Sequence, residues 1–248
     1  MAWTYLHAFK SYADVRPVLP QIAQNCVQET HKEPNNKGDT GIQRVGFFLM
    51  GTGRYIQLAN QLVESMEKYF CTDKRVSVYV HYFVITDNTE WAPSISPVNL
   101  NRNYSIIYQR QVMWPQNTLN RFKIIARNFA EFGFSSFDYL YWLDADMKMV
   151  DHVCEDIFGD LVATMHPHYY MSNKEYPYES SNTRSRAYID QRHRYEHSYY
   201  VGSFFGGSPL EMCKLIMTCH TNIQYDNTQL NGFVAKMHYE SHLNRFEN

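Results

Sequence analysis

Phe137-Asp-Tyr-Leu-Tyr-Trp-Leu143 runs straight into Asp144-Ala145-Asp146. The run is aromatic and alternating, the pattern of a buried strand, and it delivers two carboxylates at its C-terminal edge. Two acids at one strand end hold a hard divalent cation through oxygen ligands and leave positions open for a substrate diphosphate. A solvated turn is the competing reading, because an Asp-x-Asp triplet arises by chance about once in a few hundred residues. The company it keeps separates the two: Phe204-Phe-Gly-Gly-Ser208 and Glu240-Ser-His-Leu-Asn244 lie downstream.

Outward from that strand the pattern alternates strand and helix. Val45-Gly-Phe-Phe-Leu-Met50 is a continuous apolar run, broken by Gly51-Thr52-Gly53. From Tyr55 to Phe70, the residues Ile56, Ala59, Leu62, Val63, Met66 and Phe70 fall at helical spacing. Arg75 to Thr86 reads as a strand ending in the turn Asp87-Asn88, and Tyr104–Tyr108 as another. Thr118 is positioned to cap a helix with Leu119, Phe122, Ile125, Ala126 and Phe129 on one face. The order predicts an α/β fold with a mostly parallel twisted sheet flanked by helices, and ligands bind such sheets at the carboxyl ends of strands. Beyond the acids, Leu161–Met165 reads as a strand, Met171–Ser198 as a long polar and aromatic loop suited to substrate selection, and Ser208–Asn222 as a helix.

A chain of 248 residues, 44% hydrophobic and 19% charged, suits one large domain or a core with a small extension. Residues 1–40 read as an N-terminal extension and linker, with Pro17 and Pro20 opening a short helix through Val27, and 41–248 as the catalytic domain. Twenty tyrosines and an aromatic share of 16% offer flat apolar faces with polar edges, for core filling or for sugar and base contacts. A net charge of −2 supplies no global attraction for nucleic acid. The stretch from Arg184 to Arg194 is locally basic and tyrosine-bearing, a solvated loop or a contact for phosphate or an acidic glycan. The five cysteines, Cys26, Cys71, Cys154, Cys213 and Cys219, are odd in number and lack a CxxC, so a reduced chain with core thiols is expected. No apolar N-terminal leader or membrane-length run is visible, and a soluble cytoplasmic protein is the expectation.

Gly51-x-Gly53 is not a dinucleotide fingerprint, because Ile56 stands where the third glycine belongs. The glycines read either as a plain strand-to-helix turn or as space for a base or ribose, with Tyr55 available for stacking. A phosphatase of the haloacid-dehalogenase type is the rival for the acid pair, but Lys148 occupies a position where such enzymes carry a small or β-branched residue, and the motif lies mid-chain. Glu240 has His238, His242 and Asn244 nearby in sequence as partners to orient it. A carboxylate facing an anomeric carbon is the recurrent device of sugar chemistry.

Together these residues resemble glycosyltransferase family 6, the retaining α-1,3-galactosyl and N-acetylgalactosaminyl transferases. The resemblance runs from about Val45 to the C-terminus through Gly53-Arg-Tyr-Ile, Glu64-Ser-Met-Glu-Lys-Tyr-Phe70, Trp114, Arg121-Phe-Lys123, Asp144-Ala-Asp146, His166-Pro167, Ala187-Tyr-Ile189, Tyr199 through Ser208, and Glu240 through Asn244. It implies a GT-A fold that binds a UDP-sugar and Mn2+ and acts on a glycan acceptor. By that resemblance Met50, Thr52 and Tyr55 hold uracil and ribose, and Arg121 lies near the donor sugar and diphosphate. Asp144 and Asp146 hold metal and nucleotide-sugar. Val201 and Ser203 discriminate the donor sugars, Ser203 favouring galactose by its bulk relative to Gly. His166 and Tyr169 contact the acceptor, and Glu240 is the nucleophile or electrostatic stabiliser.

The chain departs from the family where relatives commonly read Trp-His-Asp-Glu and it reads Met237-His-Tyr-Glu240. An aromatic acceptor platform and a donor-holding acid are therefore expected to be missing, so that either Tyr239 substitutes by hydrogen bonding or the acceptor differs. Ending at Asn248 without an anchor, the chain resembles the short bacterial or viral members. A UDP-sugar or carbohydrate-binding protein with degraded catalysis is the alternative that these departures raise.

Overall fold

Val45, Phe47, Phe48 and Leu49 have no solvent exposure, as a strand in the middle of a two-sided sheet requires. The computed structural model describes residues 6–8, 20–30, 41–72, 76–95, 101–129, 131–170, 174–190, 192 and 198–247. In chain order the elements are β1 (Leu6–Ala8), α1 (Pro20–Thr30), β2 (Gln43–Met50), α2 (Ile56–Tyr69), β3 (Val78–Thr86), β4 (Arg102–Tyr108), α3 (Gln116–Asn128), β5 (Tyr139–Asp144), β6 (Leu161–Met165), β7 (Tyr200–Gly207), α4 (Pro209–Gln229) and α5 (Tyr239–Glu247). The strands form one sheet in the order β1-β6-β7-β5-β2-β3-β4. The neighbours from β5 to β4 are parallel, whereas β7 is antiparallel to both β5 and β6, and β1 to β6.

Alternation along the strands sends side chains into two cores. Val45, Phe47 and Leu49 of β2 and Tyr141 and Leu143 of β5 meet Leu62, Val63 and Met66 of α2. Phe48, Leu140 and Trp142 point the other way, into a cluster with Phe122 and Ile125 of α3, Leu215 and Ile216 of α4, and Leu243 of α5. The result is the three-layer α/β arrangement expected from the order of elements. At β7 two glycines are demanded by close approach: a Cβ on Gly206 would lie 2.1 Å from Leu140 O, and one on Gly207 2.1 Å from Asp160 O.

Helix boundaries differ from expectation where caps decide them. Thr118 does not cap α3; the helix begins after Pro115, and the Thr118 hydroxyl donates to Pro115 O at 2.8 Å inside the first turn. Ser208 does cap α4, accepting from Glu211 N at 3.5 Å with Pro209 behind it, and the helix runs on to Gln229 instead of Asn222. The antiparallel strand β7 and helix α5, neither expected from periodicity, carry much of the site.

The cysteine reading is corrected. Cys26 is bonded to Cys213 and Cys71 to Cys154, leaving Cys219 as a buried thiol outside any disulfide. The paired residues are 187 and 83 positions apart in sequence, so only the fold reveals their approach. This removes the cysteine argument for a reducing compartment. Of the linker expected at 30–40, Thr30 closes α1, which runs past the expected Val27, and the rest lies outside the described residues. Before it, β1 pairs with β6, and Cys26 joins α1 to α4. Among the described residues, no helix is long and apolar enough to cross a membrane.

Candidate functional site

β2 and β5 end side by side, with Met50 paired to Asp144, so the Gly51–Gly53 turn and the acid pair share one sheet edge. Antiparallel β7 runs alongside β5, Phe204 opposite Leu143, and its earlier residues continue past the strand end toward the acids. Asp144 is part-buried and Asp146 exposed, with a turn closed by Met147 N donating to Asp144 O at 3.0 Å.

Asp144 Oδ1 accepts from Arg121 Nη1 at 2.9 Å and from Trp142 Nε1 at 2.8 Å. Arg121, from α3, is 3% exposed and its guanidinium is held between two rings, 4.4 Å from Trp142 and 3.7 Å from Tyr239. A buried cation at this acid pair balances its charge and presents donors toward the strand end. Burial, foremost, and the charges of Asp144 and Glu240 drive the Tyr239 phenol far up, so it stays neutral over the guanidinium. Tyr239 therefore lies as a lid on Arg121, and its phenol also hydrogen-bonds the guanidinium it covers.

Glu240 lies in the first turn of α5 and is 8% exposed. Its Oε2 accepts from the Tyr199 hydroxyl at 2.5 Å and its Oε1 from Gly202 N at 2.7 Å. The expected partners are thus corrected. His238 packs edge-on to Trp114 at 4.5 Å, and His242 lies with Nε2 3.6 Å from Asp226 Oδ2. Asn244 does contribute, through the backbone: its Nδ2 donates to Tyr200 O and Glu240 O, and its Oδ1 accepts from Tyr200 N. That amide staples α5 to β7 and so sets the height of Glu240. All three side chains lie within four positions of Glu240, but His238 precedes α5 in left-handed backbone and His242, two positions on, is turned to another face, whereas Asn244 at i+4 stays over the Glu240 turn.

Gly202 joins the two halves. Its N–H reaches Glu240 while its carbonyl accepts from Arg121 Nη1 at 3.2 Å. A Cβ there would lie 2.2 Å from the Tyr239 ring, so only glycine fits under the lid. Val201 and Ser203, both part-buried, flank it on β7. The two positions expected to select the donor sugar therefore flank the strand residue whose N–H holds Glu240.

His166 and Tyr169 lie together at the other end, their rings 4.9 Å apart, and both rings meet Tyr199 at 5.6 and 5.1 Å. Tyr199 thus bridges the two residues expected to contact the acceptor to Glu240. Burial lowers the His166 pKa against the raising effect of Glu240, and Nδ1 accepts from His168 N at 3.1 Å, so the neutral ring carries its proton on Nε2. Trp114 is 65% exposed and its ring meets that of His238, the residue after Met237. Its expected role was only to mark a motif.

Met50 and Thr52 line a shallow cleft with Arg110, Asn117 and Asn120. Tyr55 is outside that lining and 44% exposed, with Arg54 over its ring. Protein contacts account for both glycines of the turn. A Cβ on Gly51 would sit 2.9 Å from Ala59 Cβ, and Gly53, at φ +54, donates to Asp87 Oδ1 at 2.9 Å.

Among the described residues, no group of three or more His, Cys, Asp and Glu side chains is placed to hold a metal. The acid pair fits a divalent cation of the other kind, one held by one or two carboxylates while substrate phosphates and water complete the shell.

A sheet with a parallel nucleotide-binding half, an acid pair at its strand edge and a second half carrying Glu240 defines the GT-A class of glycosyltransferase fold. The profile of glycosyltransferase family 6 matches residues 34–247, and the chain belongs to that family. It is similar to human globoside alpha-1,3-N-acetylgalactosaminyltransferase 1, 31% identical over 203 residues, covering 81% of this chain and 56% of the relative. Rat histo-blood group ABO system transferase 2 is 33% identical over 207 residues, 82% of this chain and 58% of the relative. Mouse N-acetyllactosaminide alpha-1,3-galactosyltransferase-like 1 is 23% identical over 208 residues, 82% of this chain and 60% of the relative. The chain thus spans somewhat more than half the length of these relatives.

Proposed function

We propose that the chain moves galactose or N-acetylgalactosamine from a UDP-sugar to a sugar hydroxyl in α-1,3 linkage, with retention and with a divalent metal, Mn2+ first among candidates. The single observation carrying this reading is the fixed Glu240 carboxylate, held by Tyr199 and Gly202 a few residues from Val201 and Ser203. The transferase activities for which the human and rat relatives are named agree with it.

Asp144 and Asp146 would hold the metal, which when bound supplies positive charge to the departing diphosphate. Arg121 adds charge on the same side. The bond from the anomeric carbon to the diphosphate oxygen breaks with its electron pair leaving on UDP. Glu240 stabilises or captures the cationic centre, and the acceptor oxygen bonds to that carbon on the face UDP left, its proton lost to the leaving phosphate or to water. His166 and Tyr169 orient the acceptor, and exposed Trp114 offers the aromatic face that Met237 does not.

Release of UDP from UDP-galactose and UDP-N-acetylgalactosamine, with and without manganese, tests the reading. A higher kcat/KM for UDP-galactose is expected, because Ser203 narrows the pocket relative to Gly, and Ser203→Gly should narrow the preference. One observation favours the second reading, a binding protein without catalysis: the Tyr239 ring covers one face of Arg121. UDP affinity without turnover on any donor would establish that alternative.

A further inference from the structure

Away from the acid pair, a cavity of about 320 Å³ opens where the 183–188 turn meets α4 and α5. Among the described residues its lining includes two arginines, Arg186 and Arg245, and no acid. Arg186 is fixed on the wall, its guanidinium 4.4 Å from the Tyr225 ring centroid. The turn that carries it is pinned to α4 by buried Asp226, which accepts from Ser185 Oγ at 2.5 Å and from Arg186 N at 2.8 Å. Asp226 is thereby engaged behind the cavity and does not line it. Arg245 comes from the last turn of α5, the helix whose first turn holds Glu240.

We infer that this cavity is a second saccharide site that takes an acidic sugar, a pyranose bearing a carboxylate. Paired guanidinium forks match a carboxylate in geometry and charge. Tyr188 and Tyr225 present rings for the apolar face of a pyranose, and Asn222 can both donate to and accept from ring hydroxyls. The volume lies in the range of small-molecule pockets, roughly 300–1,000 Å³, and exceeds what a lone inorganic anion fills. The 174–190 segment links the two regions: Tyr176 and Tyr178 pack on Tyr199 beside the acceptor residues, and Arg186 reaches the cavity. An acidic unit of the glycan acceptor, or of a neighbouring glycan chain, is the source, and to that extent the inference rests on the proposed transferase reading.

Titration calorimetry of the full chain with glucuronate, galactose and inorganic phosphate tests it. Glucuronate should bind at least about tenfold more tightly than galactose, the effect of one charge-assisted hydrogen bond. Arg186→Gln with Arg245→Gln should abolish that advantage, and Arg245→Gln alone, on a half-buried side chain, should reduce it. UDP-galactose turnover without acceptor should be the same in both variants as in the parent. Equal binding of galactose, glucuronate binding that survives the double change, or phosphate displacing glucuronate at equal concentration would each overturn the assignment. Absence of turnover of both UDP-galactose and UDP-N-acetylgalactosamine in the parent would count against the transferase reading alone, because the glucuronate titration does not depend on it.

Discussion

Tyr199 donates its hydroxyl to Glu240 Oε2 at 2.5 Å, and the same ring packs against His166 and Tyr169. Burial, then the Glu240 charge, pushes the phenol far above its ordinary range, so the proton stays on the oxygen and the bond is charge-assisted. Hydrogen bonds to charged groups contribute about 1.5–3 kcal/mol. Tyr199→Phe should therefore lower kcat by roughly 10- to 100-fold while leaving UDP affinity unchanged. A kcat within about twofold of the parent would show that Tyr199 does not orient the carboxylate.

The two acids should behave differently on substitution. Asp146 is exposed, whereas Asp144 balances buried Arg121. Asp146→Asn should abolish manganese-stimulated turnover with little change in melting temperature. Asp144→Asn should abolish turnover and also destabilise the fold, by about 1–3 kcal/mol, because a buried guanidinium loses its counter-charge. Full activity of either variant in EDTA would remove the metal from the mechanism.

The parallel half of the fold was legible because its strands are buried on both faces and its helices are amphipathic. The stretches read as Val45–Met50 and Tyr55 to Phe70 come close to β2 (Gln43–Met50) and α2 (Ile56–Tyr69). Strand β7 was hidden by Gly202, Gly206 and Gly207, whose low strand propensity masks the alternation. Helix α5 is short and follows two residues in left-handed backbone, Met237 and His238. The residues of the site could be named from sequence, but not their partners. Glu240 is oriented by Tyr199, 41 positions away, and Gly202, 38 positions away, contacts that no local spacing encodes.

His242 is 2% exposed, and burial, opposed by Glu179, lowers its pKa to about 3. The folded state holds it neutral while the unfolded chain protonates it near 6.5. The stability this withholds from the acid side is present above pH 6.5 and is lost as pH falls from there toward 3. Between pH 7 and pH 5 the loss from this group is about 2 kcal/mol. Urea unfolding at both pH values should show a smaller pH decrement for His242→Gln than for the parent. Equal decrements would mean that His242 does not set the acid sensitivity.

The cysteine pairing predicts a thiol count. Denatured chain alkylated without reductant should carry one label, on Cys219, and after reduction five. Reduction should also lower the melting temperature, because bonds closing loops of this length contribute about 2–5 kcal/mol. Five labels before reduction would restore the reduced-chain reading.

Glu240 carries the last prediction, and its hydrogen bonds make the test clean. In Glu240→Gln the amide oxygen can accept from Gly202 N–H while the amide nitrogen donates to Tyr199, whose hydroxyl also accepts. Shape and both contacts survive and only the charge is removed, so the melting temperature and UDP affinity should hold. If Glu240 stabilises a cationic anomeric centre, kcat should fall by about 10²–10³-fold, as for a single electrostatic group. If it forms a bond to that carbon the fall should be larger, because the amide cannot replace the nucleophile. Rescue of turnover by added azide in Glu240→Ala, where truncation opens space beside the anomeric carbon, would mark the larger fall as loss of a nucleophile, since a small anion can enter that space and form the bond in its place. An unchanged kcat with UDP affinity intact would take Glu240 out of the chemistry and leave Tyr199 and Gly202 as supports for packing alone.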